Sequence, residues 1–118
     1  MDLFYTVRQH VLKELESMVT AGELPSGLDM TSVAVEPPRD PLHGDMATNA
    51  AMVLSKSAKK NPREIAETLA NRLSNVDIIE NSQVAGPGFL NLRISIKAWQ
   101  SNLNKILELG STYGQTGL

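Results

Sequence analysis

Hydrophobic side chains near the start of the chain recur every three or four residues, a spacing typical of an amphipathic α-helix. The stripe consists of Leu3, Val7, Val11, Leu15 and Met18, with Phe4, Leu12 and Val19 beside it. Gly22 is expected to end this helix in a left-handed cap, and Pro25-Ser26-Gly27 indicates that a loop follows.

A short strand and a second helix come next. Ser32-Val33-Ala34-Val35 predicts the strand, and Glu36-Pro37-Pro38 ends it because proline has no amide hydrogen for the ladder. Residues 39–44 are rich in turn formers and predict a rigid loop. Asp45 is expected to cap the second helix. The buried stripe of that helix is small: Ala47, Ala50, Ala51, Leu54 and Ala58.

A third helix has the clearest start signal in the chain. Asn61 suits the cap, Pro62 suits the first helical position, and Glu64 stands at the reciprocal capping-box position. Its apolar face consists of Ile65, Ala66, Leu69, Ala70 and Leu73. Asn75 is expected to end it.

Two strands joined by a tight turn follow the third helix. Val76 to Val84 predicts one strand, and Ala85-Gly86-Pro87-Gly88 predicts the turn. Phe89 to Ile96 then alternates cleanly between apolar and other residues. One face consists of Leu90, Leu92, Ile94 and Ile96, and the other of Phe89, Asn91, Arg93 and Ser95.

The chain is predicted to finish with a helix and a linker. From about Ser95 the helix places Trp99, Leu103, Ile106 and Leu107 on one side, and it ends at Gly110. The element order α-β-α-α-β-β-α predicts an α+β fold, a small and mainly antiparallel sheet with helices packed on one face. We assign residues 1–110 to one domain and residues 111–118 to a linker.

Composition restricts the classes of function. The 118 residues, 42% hydrophobic and 20% charged, suit one globular domain, and no apolar run is long enough to span a membrane. The absence of cysteine excludes a disulfide scaffold, a thiolate metal site and a cysteine nucleophile. A formal charge of −2 opposes a basic surface over the whole domain but leaves room for a local one.

Catalytic chemistry is poorly supported by these residues. His43 lies between Asp40 and Asp45, but a metal site needs more ligands, and the chain has only one other histidine, His10. The Gly86-Pro87-Gly88 turn lacks the Lys-Ser/Thr pair of a phosphate loop. We therefore expect no catalytic residue, no metal and no cofactor in this segment.

Binding of RNA is better supported. Phe89, Asn91 and Arg93 present an aromatic ring, an amide and a guanidinium in line, the groups that stack on and read single-stranded bases. The alternative is that Phe89 caps a second small core or packs under a helix. A basic run could contact phosphates or could simply be a solvated helix end: Lys56, Lys59, Lys60 and Arg63.

Three segments, in this order, resemble the N-terminal domain of arginyl-tRNA synthetases. They are VEPPRDPLHGDMATNAA at 35–51, NPREIAETLANRL at 61–73 and VAGPGFLNLRIS at 84–95. Gly44-Asp45 followed by Asn49 is similar to the family's glycine-aspartate…asparagine signature. The segment from Gly86 to Asn91 is similar to its glycine/proline–phenylalanine–x–amide signature.

The resemblance implies an accessory domain that contacts the outer corner of tRNA(Arg), where the D-loop projects. In the family, the aromatic matching Phe89 contacts a D-loop nucleotide and the amide matching Asn91 helps to read it. Gly86 stands where some relatives carry an amide, so contact there is expected to be looser or through the backbone. The match implies a structural role for Gly44, Asp45 and Asn49.

The resemblance also implies what the parent protein does. It is expected to be a cytoplasmic, monomeric class I arginine–tRNA ligase that uses ATP with Mg²⁺ in a catalytic domain outside this sequence. Residues 111–118 would then lead toward that domain. The alternative is a structural or protein-interaction module without direct RNA contact, which the small-residue second helix and the aliphatic patches favour.

Overall fold

A computed structural model describes residues 2–40, 42 and 44–103. The helices are α1 (Leu3–Thr20), α2 (Ala50–Ala58), α3 (Pro62–Leu73) and α4, which is described over residues 96–103. The strands are β1 (Val35–Glu36), β2 (Met46–Thr48), β3 (Ile79–Ala85) and β4 (Phe89–Ile94). The predicted helix end at Gly110, with Ile106 and Leu107, and the linker at 111–118 lie outside the described residues. None of the described helices is long and apolar enough to cross a lipid bilayer.

The strands form one antiparallel sheet in the order β1-β2-β4-β3. Val35 lies opposite Thr48 and Met46 opposite Leu92. These residues, with Leu90 and Ile94, share one face of the sheet because directly opposed residues point to the same side. Ala47, Asn91 and Gln83 follow each other across the other face.

The helices cover only the first of these faces. The apolar stripe of α1, with Leu3, Val7, Val11, Leu15 and Met18 all buried, is the predicted one. The core also holds Met46, Leu54, Ile65, Leu69, Leu73, Leu90, Leu92 and Ile94. The structure therefore confirms the α+β class and the antiparallel sheet with helices on one side.

Local capping chemistry explains where two helices begin and end. Asn61 Oδ1 accepts a 2.8 Å hydrogen bond from the Arg63 amide, and Pro62 occupies the start of α3, as predicted. Asp2 caps α1 in the same way through the Phe4 amide, at 2.9 Å. Gly22, with φ of +81°, follows the end of α1 at Ala21, so the predicted left-handed stop is confirmed.

The prediction for Asp45 is wrong. Met46–Thr48 forms strand β2, and α2 begins only at Ala50, after Asn49. The Asp45 carboxylate instead accepts from the Ile94 amide of β4, at 2.8 Å. A three-residue strand has too few positions to show a period of two, and an aspartate before alanines resembles a helix cap.

The other strand boundaries shift by a few residues. The strand predicted at 32–35 is instead Val35–Glu36, which shares only Val35 with it and includes the residue expected to end it, and the strand predicted from Val76 begins at Ile79. Ile96 is 70% exposed in α4 rather than part of the apolar face of β4. The Ser95 hydroxyl accepts from the Ala98 amide at 3.1 Å, which caps α4 and ends the strand before the alternating pattern does.

Candidate nucleic-acid interface

The open face of the sheet carries a groove of about 590 Å³. Ala47 and Asn91, which oppose each other on β2 and β4, form its floor. The segment from Glu36 to Asp40 forms one wall, and the turn after Ala85 forms the other together with Phe89. The volume falls in the range of small-ligand clefts, roughly 300–1,000 Å³.

Phe89 borders the groove at the first residue of β4. Its side chain is 41% exposed, so it is not part of the buried core. Gly86, with φ of +57°, and Gly88, with φ of +152°, shape the turn that precedes it. A large apolar ring left partly in water beside a cleft is a feature of binding surfaces.

Asn91 lies at the bottom of the groove. It is 8% exposed, and it stands between Ala47 and Gln83 in the register of the open face. Among the described residues its carboxamide has no hydrogen-bond partner. Its amide atoms are not sealed from solvent, since among the described side chains only Ser82 Oγ is both fully buried and without a hydrogen-bond partner, so a ligand that enters the groove would find donor and acceptor available.

The remaining predicted base-reading residues have different positions. Arg93 is on the same face but does not line the groove, and its Nη2 donates to the Leu42 carbonyl at 3.4 Å. Gly86 does line the groove, and its carbonyl accepts a hydrogen bond from Arg63 Nη1.

The predicted basic run lies at the junction of α2 and α3. Lys56, Lys59, Lys60 and Arg63 are all exposed. The junction is next to the turn that precedes Phe89, because a Cβ atom at Gly88 would lie 2.7 Å from Pro62 Cβ. The structure thus brings the basic residues and the groove wall to the same end of the sheet.

The glycine-aspartate…asparagine residues make contacts within the fold. Asn49 Oδ1 accepts from the Ala34 amide at 2.8 Å, and its Nδ2 donates to the Ser32 carbonyl at 3.2 Å. These two bonds hold the segment before β1 against the end of β2. Asp45 bonds to β4, as described above, and Gly44 lets the two backbones approach. His43 lies outside the described residues.

The wall opposite Phe89 has no counterpart among the predicted site residues. Pro37, Pro38 and Arg39 were expected only to end a strand and form a loop, yet they line the groove with Glu36 and Asp40. Two adjacent prolines followed by charged residues are the one local signal of a stiff, polar wall. Within residues 2–40, 42 and 44–103, no three His, Cys, Asp or Glu side chains gather closely enough to hold a metal ion.

The chain is similar in sequence to arginine–tRNA ligases of several bacteria. An arginine–tRNA ligase of Cereibacter sphaeroides is 57% identical over 116 residues, which are 98% of this chain and 20% of that protein. The arginine–tRNA ligase of Roseobacter denitrificans is 54% identical over 118 residues, with 100% and 20% coverage. The chain therefore spans about a fifth of the length of the curated relatives that it matches.

Solved structures show the same fold. The arginyl-tRNA synthetase of Thermus thermophilus aligns with a TM-score of 0.62 at 24% identity, covering 82% of this chain and 15% of that one. The arginyl-tRNA synthetase of Plasmodium falciparum aligns with a TM-score of 0.69 at 16% identity, covering 86% and 17%.

A family model provides the most direct assignment. The model described as "Arginyl tRNA synthetase N terminal domain" matches residues 6–94, which contain every described strand and the first three helices except the start of α1. The chain belongs to the family of arginyl-tRNA synthetase N-terminal domains.

Proposed function

We propose that this domain contacts the D-loop at the outer corner of tRNA(Arg) through the groove on the open face of its sheet. The observation that carries the proposal is the 41% exposed Phe89 beside Asn91, a largely buried residue whose carboxamide has no hydrogen-bond partner among the described residues. A projecting base can stack on the ring while its edge bonds to the amide, the usual way in which proteins read unpaired RNA bases.

The basic residues beside the groove support the same proposal. Lys56, Lys59 and Lys60 are exposed at the junction of α2 and α3, and Pro62 of this junction packs against the turn that bounds the groove. Lysines in such a position neutralise backbone phosphates and orient the RNA without reading its sequence. The groove would then provide the nucleotide contact and the lysines the phosphate contacts.

The parent protein is, in this proposal, a cytoplasmic arginine–tRNA ligase that attaches arginine to tRNA(Arg) with ATP and Mg²⁺. That chemistry belongs to a catalytic domain of the same protein. The groove residues take no part in the attachment of arginine. Their role in this proposal is to place the tRNA.

Substitution of Phe89 by alanine in the full-length ligase tests the proposal. Loss of one stacked base is expected to weaken tRNA(Arg) binding by about 1–3 kcal/mol, or about 5- to 150-fold. The expected change is a higher KM for tRNA, with ATP-dependent activation of arginine unchanged. Tyr5→Ala is the matched control, because Tyr5 is also exposed, at 60%, but lies on α1 away from the groove.

Equal tRNA affinity for the Phe89→Ala and Tyr5→Ala variants would remove Phe89 from the proposed role. A nuclease footprint of the bound tRNA adds a positional readout. D-loop nucleotides should be protected by the wild-type ligase and should lose that protection in the Phe89→Ala variant.

Helix α4 supports a second candidate function, docking on another protein domain without RNA contact. Ile96, Trp99 and Leu103 are 70%, 36% and 54% exposed, and their spacing places them along one side of the helix. Exposed apolar residues grouped in this way are typical of protein interfaces. A D-loop that the wild-type ligase leaves unprotected would favour this function over the groove.

A further inference from the structure

We infer that Arg63 is a positioning residue of the groove, which holds the turn before Phe89, and is not a phosphate contact like the lysines beside it. The inference rests on the proposed function, because it assigns a role to Arg63 in presenting the same ring to RNA. It differs from the sequence-based expectation, in which Arg63 belonged to the basic run.

The turn at residues 86–88 has little to hold it in one conformation by itself. The Ala85–Phe89 pair closes the hairpin at its base, and within the turn the Gly88 amide donates to the Ala85 carbonyl at 3.3 Å, which is long for such a bond. Two of its three residues are glycine, which loses more conformational freedom than any other residue when it is fixed. The backbone of Phe89 is fixed by its pairing with Ala85, whereas the conformation of the turn beside its ring also depends on support from outside the turn.

The first turn of α3 supplies that support at consecutive residues. Asn61 Oδ1 accepts from the Arg63 amide at 2.8 Å and fixes the start of the helix. Pro62 packs against Gly88 so closely that a Cβ atom there would lie 2.7 Å from Pro62 Cβ. Arg63 Nη1 donates to the Gly86 carbonyl, which ties the other end of the turn to the same helix.

The direction of the Arg63 side chain separates it from its neighbours. A guanidinium that donates to a carbonyl makes a charge-assisted hydrogen bond, stronger than one between neutral groups. Lys60 is exposed and has no hydrogen bond or ion pair through its ammonium group with the described residues. Lys60 thus has its whole ammonium group available to a phosphate, whereas the Nη1 end of the Arg63 guanidinium is held by the Gly86 carbonyl.

The two roles leave different signatures in tRNA binding by the full-length ligase. A plot of log K against log salt concentration has a negative slope, and each lost phosphate contact makes that slope shallower by about 0.7–0.9. A lost positioning contact leaves the slope unchanged. We expect Arg63→Ala to weaken binding about five-fold at an unchanged slope, because exposure to water reduces the net strength of this charge-assisted hydrogen bond. Lys60→Ala, the matched control, should make the slope shallower by the amount of one phosphate contact.

A double-mutant cycle with Phe89→Ala shows whether Arg63 acts through the ring. Arg63→Ala should cost nothing further once Phe89 is alanine, because there is no ring left to position. Lys60→Ala should cost the same in both backgrounds. An Arg63→Ala loss that adds fully to that of Phe89→Ala, with a lower salt slope, overturns the inference and leaves the proposed function intact.

Hydrogen exchange tests the support without RNA. In the RNA-free full-length ligase, Arg63→Ala should speed exchange in the peptide that contains the Gly88 amide about five-fold, and Lys60→Ala should leave it unchanged. Equal exchange in the two variants overturns the inference. If Phe89→Ala leaves tRNA affinity unchanged, the proposed function fails and the assigned role of Arg63 fails with it, even when exchange changes as expected.

Discussion

Asp45 shows how a single side chain can continue a strand that is too short to complete its own ladder. Its backbone amide donates to the Leu92 carbonyl, and its Oδ2 accepts from the Ile94 amide, both at 2.8 Å. Gly44 allows this close approach, because a Cβ atom there would lie 2.8 Å from the Leu92 carbonyl oxygen. The carboxylate thereby satisfies a backbone donor of β4 that lies beyond the pairing with β2.

Replacement of Asp45 by alanine should lower the free energy of unfolding by about 1.5–3 kcal/mol, the range for a hydrogen bond to a charged group. The Ile94 amide would lose its partner next to a buried strand, which is the physical reason for the loss. Urea unfolding of the variant measures it. Asp77→Ala is the control, because Asp77 is exposed and should change stability by less than about 0.5 kcal/mol. Equal midpoints for the two variants would contradict this role of Asp45.

At the scale of elements, helix α2 ends at a lysine whose backbone conformation is unfavourable for any residue except glycine. Lys59 adopts the left-handed conformation, with φ of 56° and ψ of 42°, where glycine is normally preferred. The amide of Lys60 donates to the Ser55 carbonyl at 3.1 Å, which closes the last turn of the helix. A non-glycine residue in this conformation costs about 1–2 kcal/mol.

Lys59→Gly should therefore stabilise the domain by about 1 kcal/mol while it removes one of the proposed phosphate contacts. Lys59→Ala is the matched control, because it removes the same charge but keeps the backbone cost. We expect a higher unfolding midpoint for the glycine variant alone, and the same reduction in the salt slope of tRNA binding for both variants. A glycine variant no more stable than the alanine variant would contradict the interpretation.

Elements with several turns of regular pattern could be predicted from the sequence. The buried stripe of α1 and the Asn61 cap of α3 are both as expected, because period and capping are local properties. β2 could not be predicted, since its extended conformation comes from pairing with β4, far along the chain. The alternation after Ile94 was misleading, because the Ser95 cap starts a helix there.

The candidate site divides in the same way. Phe89 and Asn91 could be placed on one face of a strand from alternation alone, and the structure places both at the groove. The opposite wall at Pro37 and Arg39 depends on the strand order β1-β2-β4, which no local pattern specifies. The hydrogen bond from Arg63 to the Gly86 carbonyl likewise could not be predicted, because it depends on how α3 packs against the turn.

At the scale of the whole molecule, the net charge and the charges around the groove favour short-range contacts with RNA over long-range attraction. The formal charge is −2, and the groove wall carries both signs of charge, in Glu36, Arg39 and Asp40. Such a surface exerts little long-range attraction on RNA. The proposed contact would thus depend on shape and stacking, which suits a domain that touches one corner of a tRNA bound to other parts of the ligase.

Filling the groove should separate RNA contact from folding. Ala47 lies on the groove floor and does not contribute to the buried core, so Ala47→Leu should change the unfolding free energy by less than about 1 kcal/mol. The added side chain would occupy the space beside Asn91 and should weaken tRNA(Arg) binding about 5- to 150-fold, as for one lost stacked base. Gln83→Leu is the control, because it adds a leucine to the same row of the open face but outside the groove. Equal tRNA affinity for the two variants, with both folded, would show that RNA does not enter the groove.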